Sequence, residues 1–114
     1  MMALLMGLHS ISPTELQQQL LTDAVAVVDV NSRQSWNQAH VPGARHADPN
    51  QFVAADLPAD KNALLVFYCS NPMCRKAPIA ARRAKALGYA NVKVLSAGIR
   101  GWQSQGLPTE KFSP

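Results

Sequence analysis

The chain has 114 residues, 47% of them hydrophobic and 16% charged, with a formal net charge of +4. That suits one compact α/β domain and leaves little room for a second core. A pI near 9.4 favours small anionic ligands and is too weak to imply nucleic acid, and no stretch approaches the roughly 20 apolar residues of a membrane span.

Residues 1–9 read as a tail before a single domain over 10–110. The opening MMALLMG has no basic region and no long apolar core, so it does not read as a signal peptide. A reducing cytoplasm is therefore the expected setting, where Cys69 and Cys74 rest as thiols. Two cysteines are too few for a disulfide framework, and no nearby histidines complete a zinc site.

Ser12-Pro13-Thr14-Glu15 predicts a helix start: Ser12 caps the free amides, Pro13 suits the first helical position, and Glu15 completes a capping box. Leu16, Leu20 and Leu21 supply its apolar stripe. The run from Ala24 to Val30 is β-branched and nearly all apolar, as a strand buried on both faces of a parallel sheet reads. A short helix is expected in NSRQSWNQAH, and Pro42-Gly43 marks a turn. Ala63 to Tyr68 is a second buried strand, leading into CSNPMCRKAP. IAARRAKALG then reads as a helix ending at Gly88. Val92 to Leu95 is a third strand, and Ser96-Ala97-Gly98 turns the chain into a last helix around Trp102. Strands alternating with helices imply a parallel sheet covered on both faces. Such sheets bind ligands beyond the carboxyl ends of their strands, where Cys69 falls.

The amides of Ser70, Asn71, Met73, Cys74 and Arg75 are close enough in sequence to converge on the Cys69 sulfur, whereas Pro72 has none. Amides at a helix start favour an anion and so stabilise a thiolate or persulfide. Arg75 adds a fixed positive charge able to orient an oxyanion such as thiosulfate. The bland reading of Cys69 is a buried structural cysteine. Its position and basic neighbours favour the reactive one. Arg82, Arg83 and Lys85 read as the wet face of an amphipathic helix. Cys74 stays open between a resolving thiol, a second sulfur acceptor and loop filling.

VVDVNSRQSWNQAHVPGARH, LLVFYC and ALGYANVKVLSAGIRGWQSQGLP, in that order, resemble the signatures of the rhodanese family from Ile11 to Pro108. The resemblance implies a rhodanese-like α/β fold, with a central parallel sheet of about five strands flanked by helices on both faces. It implies a sulfurtransferase with Cys69 as nucleophile, Arg75, Ser70, Asn71, Met73 and Cys74 around the substrate, and no metal or cofactor. The implied partners are a small anionic sulfur donor and a thiol or protein acceptor, without nucleic acid or membrane. His40, Pro42 and Gly43 read as structural. Four positions depart from the family's pattern: Arg75 lies six places after Cys69 rather than five, Pro72 takes a glycine position, Asn31 an arginine position, and Ala97 the first of a glycine pair.

Two other function classes compete. Cys69-x5-Arg75 satisfies the loop pattern of phosphatases and arsenate reductases of this fold. Against it, Pro72 removes an amide from the ring a phosphate needs, and no general acid stands nearby in sequence. The third class is a non-catalytic module that binds a partner or senses redox state through Cys69 and Cys74.

Overall fold

The structure, a computed structural model, describes residues 8–22 and 24–113. Five strands form its sheet: β1 (His9–Ser10), β2 (Val25–Asp29), β3 (Arg45–His46), β4 (Leu64–Tyr68) and β5 (Val92–Val94). Their order is β1-β5-β4-β2-β3, and every pairing is parallel. The helices are α1 (Pro13–Leu20), α2 (Arg33–Gln38), α3 (Lys76–Ala86) and α4 (Gly98–Ser104). The three expected strands become β2, β4 and β5. The edge strands β1 and β3 are two residues each and carry no pattern of their own.

Alternation along β4 decides which helix meets which face. Leu65, Phe67 and then Cys69 pack with Ala77, Ala80, Ala81 and Ala84 of α3. Val66 and Tyr68 point the other way, against Leu16 of α1 and Trp102 of α4. The alanine stripe brings α3 close to the sheet. Trp102 fills the opposite face, and its indole N–H donates to the Pro108 carbonyl at 2.7 Å. Burying a large side chain of this kind stabilises the fold by about 2–3 kcal/mol relative to exposing it.

Local chemistry fixes the ends. The Ser12 hydroxyl accepts from the Glu15 amide at 3.1 Å, and the Glu15 carboxylate accepts from the Ser12 amide at 2.9 Å. That backbone hydrogen bond, with the Ser12 side chain, holds the Glu15 carboxyl below its ordinary value. Leu21, expected on the apolar stripe, is instead 78% exposed, because the helix ends at Leu20 and Leu21 is its cap. Gly88 follows the cap of α3 with a left-handed backbone, as expected.

Of the expected tail, residues 1–7, and with them MMALLMG, lie outside the described residues. Leu8 is buried and His9 pairs with Lys93, so regular structure starts before residue 10. At the other end the chain returns to α2. His40 and Glu110 exchange backbone hydrogen bonds at 2.9 and 2.8 Å, and the Phe112 amide donates to the Asn37 carbonyl at 2.9 Å. The His40 ring stacks on Trp36 with centroids 4.3 Å apart, and its Nδ1 lies 2.7 Å from the Trp36 carbonyl oxygen.

Candidate functional site

The chain leaves β4 at Tyr68 and enters the cysteine loop at Cys69, beyond the carboxyl ends of the strands. Two elements grip the start of this loop. On one side the amides of Ile99 and Arg100, at the beginning of α4, donate to the carbonyls of Cys69 and Ser70 at 2.9 and 3.0 Å. The approach is so close that a Cβ on Gly98 would lie 2.5 Å from the Ser70 carbonyl carbon and oxygen and 2.6 Å from the Asn71 nitrogen. Gly98 also has φ +69°, a region costly for other residues.

On the other side the Ser70 hydroxyl donates to Asn31 Oδ1 at 2.8 Å. The Asn31 amide donates to one oxygen of Asp29 at 2.8 Å, and the Tyr68 hydroxyl donates to the other at 2.7 Å. Tyr68 in turn accepts from the Val41 amide at 3.0 Å. His46 Nε2 lies 2.7 Å from the Asn31 carbonyl oxygen. Burial pushes the Asp29 carboxyl above its ordinary value, although the Tyr68 and Asn31 hydrogen bonds oppose the shift. Burial, and then the neighbouring Asp29 charge, push the Tyr68 hydroxyl up. The network bolts the loop to the end of β2.

Within the loop Asn71 organises a turn. Its side-chain oxygen accepts from the Met73 amide at 2.9 Å, and its carbonyl accepts from the Cys74 amide at 3.1 Å. Those two amides, named from sequence as able to face the sulfur, are thus taken up by Asn71. The turn carries Cys74 back over Cys69. The two cysteines, expected from sequence to rest as thiols, are instead joined as a disulfide, with α-carbons 6.4 Å apart, because the Asn71 turn brings them together. Both line a cavity of about 10 Å³ with Asn71, Pro72, Ala77 and Leu95, which is room for about one water.

The other residues named from sequence are spread around this centre. Ser70 is half-buried and holds Asn31; Met73 is 80% exposed. Arg75 is the exposed N-cap residue of α3, outside the lining of the small cavity. Lys76 lines a separate groove of about 290 Å³ with Asn31, Arg33, His46 and Asp48. Of the presumed wet face of α3, Arg83 instead donates to the Phe52 carbonyl at 2.7 Å. Sequence reasoning missed Asp29, Tyr68 and Gly98 as positioning residues. An aspartate in an otherwise apolar strand was the available signal for the first.

Once reduced, Cys69 is a thiol at the sheet's carboxyl edge, near the start of an 11-residue helix whose free amides favour an anion. Among the described residues, no three His, Cys, Asp or Glu side chains converge as a metal site, and no helix is long and apolar enough to cross a membrane.

A family model described as the rhodanese-like domain matches residues 12–105. The chain is similar to an HTH-type transcriptional regulator of Mycobacterium tuberculosis, at 31% identity over 92% of this chain and 46% of the relative. It is similar to arsenate reductase 2.1 of Oryza sativa, at 32% identity over 74% of this chain and 59% of the relative. It also matches the thiosulfate sulfurtransferase GlpE of Pseudomonas paraeruginosa, at 31% identity over 79% of this chain and 80% of the relative. The chain thus spans about half the length of the first curated relatives it matches. Among solved structures, the BH2092 protein of Bacillus halodurans superposes with a TM-score of 0.82 at 24% identity, over 90% of this chain and 77% of that one.

Proposed function

The chain belongs to the rhodanese-like domain family, and from that premise we propose that it is a sulfurtransferase carrying sulfane sulfur on Cys69. The observation that carries the reading is the position of Cys69, immediately after the central strand β4 and beside the start of α3. The likeness to a thiosulfate sulfurtransferase supports it.

In this reading the Cys69–Cys74 disulfide is the oxidised form, and reduction frees the nucleophile. The Cys69 thiolate attacks the outer sulfur of thiosulfate. A sulfur–sulfur bond forms to Cys69, the bond within thiosulfate breaks, and sulfite leaves with its electron pair. A thiophilic acceptor then takes the outer sulfur and restores the thiolate. Arg75 and Lys76, at the start of α3, supply positive charge for the anionic donor. A cytoplasmic setting fits this chemistry, because the thiols must be kept reduced.

The test is intact mass, after thiosulfate, of the reduced Cys74→Ser protein, in which Cys69 is the one cysteine left. The expected result is a gain of one sulfur atom, removed by cyanide and absent in Cys69→Ser. A Cys69→Ser protein that still gains sulfur removes Cys69 from the mechanism.

One observation favours a second reading, the likeness to a rice arsenate reductase together with the Cys69-x5-Arg75 spacing. Against it stands the loop, where Pro72 has no amide and Asn71 takes up those of Met73 and Cys74. Turnover of arsenate or an aryl phosphate, without sulfur uptake, would reverse the preference.

A further inference from the structure

Resting on the sulfurtransferase reading, we propose that Cys74 is a catalytic resolving thiol that turns the Cys69 persulfide into sulfide and a Cys69–Cys74 disulfide. The reading above needs only a carrier cysteine and an outside acceptor. The structure places an acceptor inside the loop.

Three observations carry this. The α-carbons of Cys69 and Cys74 are 6.4 Å apart and the bond is formed, within the roughly 4.4–6.8 Å that a disulfide needs. The loop holds that geometry by its own bonds: Asn71 accepts from Met73 and Cys74, while Gly98 and Asn31 pin the stretch before it. The cysteines also face the same way. Cys69 belongs to the cluster on the α3 face of the sheet, and Cys74 packs against that cluster. A side chain five places on need not have done so, since sequence distance does not set direction.

Access points the same way. Cys69 is 2% exposed, and the cavity beside the sulfurs holds about one water-sized atom. An outside thiol acceptor has to reach Cys69 through that space. Cys74 needs no entry.

The step balances. The Cys74 thiol attacks the inner sulfur of the Cys69 persulfide, a bond forms between the two cysteine sulfurs, and the bond to the outer sulfur breaks. The outer sulfur leaves with that electron pair and takes up the Cys74 proton, departing as hydrosulfide. It gains two electrons, and the two cysteines lose them. An external dithiol then reopens the disulfide and is itself oxidised. Over one cycle, thiosulfate and a dithiol yield sulfite, sulfide and a disulfide.

The experiment reduces the protein, removes the reductant, and loads it in parallel with thiosulfate and with inorganic polysulfide. The second reagent installs a persulfide without recognition of thiosulfate. Sulfite, sulfide, protein mass and free thiols are followed together. With either reagent the wild type should release sulfide and lose both thiols. Cys74→Ser and Cys74→Ala should hold the added sulfur, with sulfide release at least about 100-fold slower, since an attached thiol acts at about millimolar effective concentration against micromolar outside thiol. A wild type that keeps its persulfide as long as the variants do, with Cys74 still open to alkylation, overturns the proposal. So does added sulfur found on Cys74 with Cys69 free. Sulfide release from polysulfide but no sulfite from thiosulfate overturns the choice of donor and upholds the resolving role. No adduct from either reagent overturns both.

Discussion

Asp29 is the residue whose surroundings contradict its chemistry most. It is fully buried on a central strand, and its carboxyl faces a hydroxyl and an amide instead of a cation within bonding distance. Burial raises its folded value above the ordinary 3.8. Between the two values the native state therefore holds a proton that the unfolded state has already lost. The resulting stability is complete below pH 3.8 and is lost as pH rises through the raised folded value. Glu15 works in the opposite sense: its lowered value adds stability that disappears as pH falls. Comparing wild type with Asp29→Asn isolates the first effect, because Glu15 is common to both. Urea denaturation across about pH 4–8 should show the wild type losing stability relative to Asp29→Asn as pH rises. Parallel pH profiles would mean that Asp29 stays ionised in the fold. Of the two cysteines, the place of Cys69 at the carboxyl edge of the sheet was legible from the strand before it. The direction of Cys74 was not, because it depends on how the Asn71 side chain folds back on the loop.

Among the elements, β2, β4 and β5 were legible because their apolar runs have no other stable use than burial between helices. The edge strands were not. His9–Ser10 and Arg45–His46 become strands because a neighbour offers them a ladder, and two residues hold no periodicity to read. The start of α1 was legible in its capping box, but its end was misplaced by one leucine, since nothing in LQQQLL marks where the turn stops. The start of α4 shows what pattern reading loses. Gly98 reads as a turn residue, yet its lack of a side chain lets the helix press on the cysteine loop. Gly98→Ala should cost about 2–4 kcal/mol in urea denaturation, combining a left-handed alanine with a backbone clash. Gly106→Ala has a similar φ of +73° and nothing within 4 Å, so it should cost only about 1–2 kcal/mol. Equal losses would mean that the loop yields freely and that Gly98 has no positioning role.

The whole molecule is closed by its last residues as well as by its sheet. The segment after α4 crosses to α2, where Glu110 and Phe112 meet His40, Asn37 and Trp36. Removing residues 109–114 forfeits three backbone hydrogen bonds and should cost about 2–4 kcal/mol. Sulfur loading of Cys69, measured by mass in Cys74→Ser where the truncated protein remains folded, should persist. Loss of loading at full foldedness would tie the C-terminal segment to the loop. Parallel pairing has a further consequence, which concerns time. Among the described residues no strand pairs with a neighbour through a hairpin, and β1 joins the sheet through His9–Lys93 and Ser10–Val94. Contacts of such long range form slowly. On the ribosome β1 is made well before β5, the strand it pairs with. Cys69 and Cys74 emerge before Val94, Leu95 and Ser96, the residues that wall in their cavity. During synthesis the sulfurs therefore stand open to every oxidant and electrophile nearby until Val94, Leu95 and Ser96 have followed them out and closed over them.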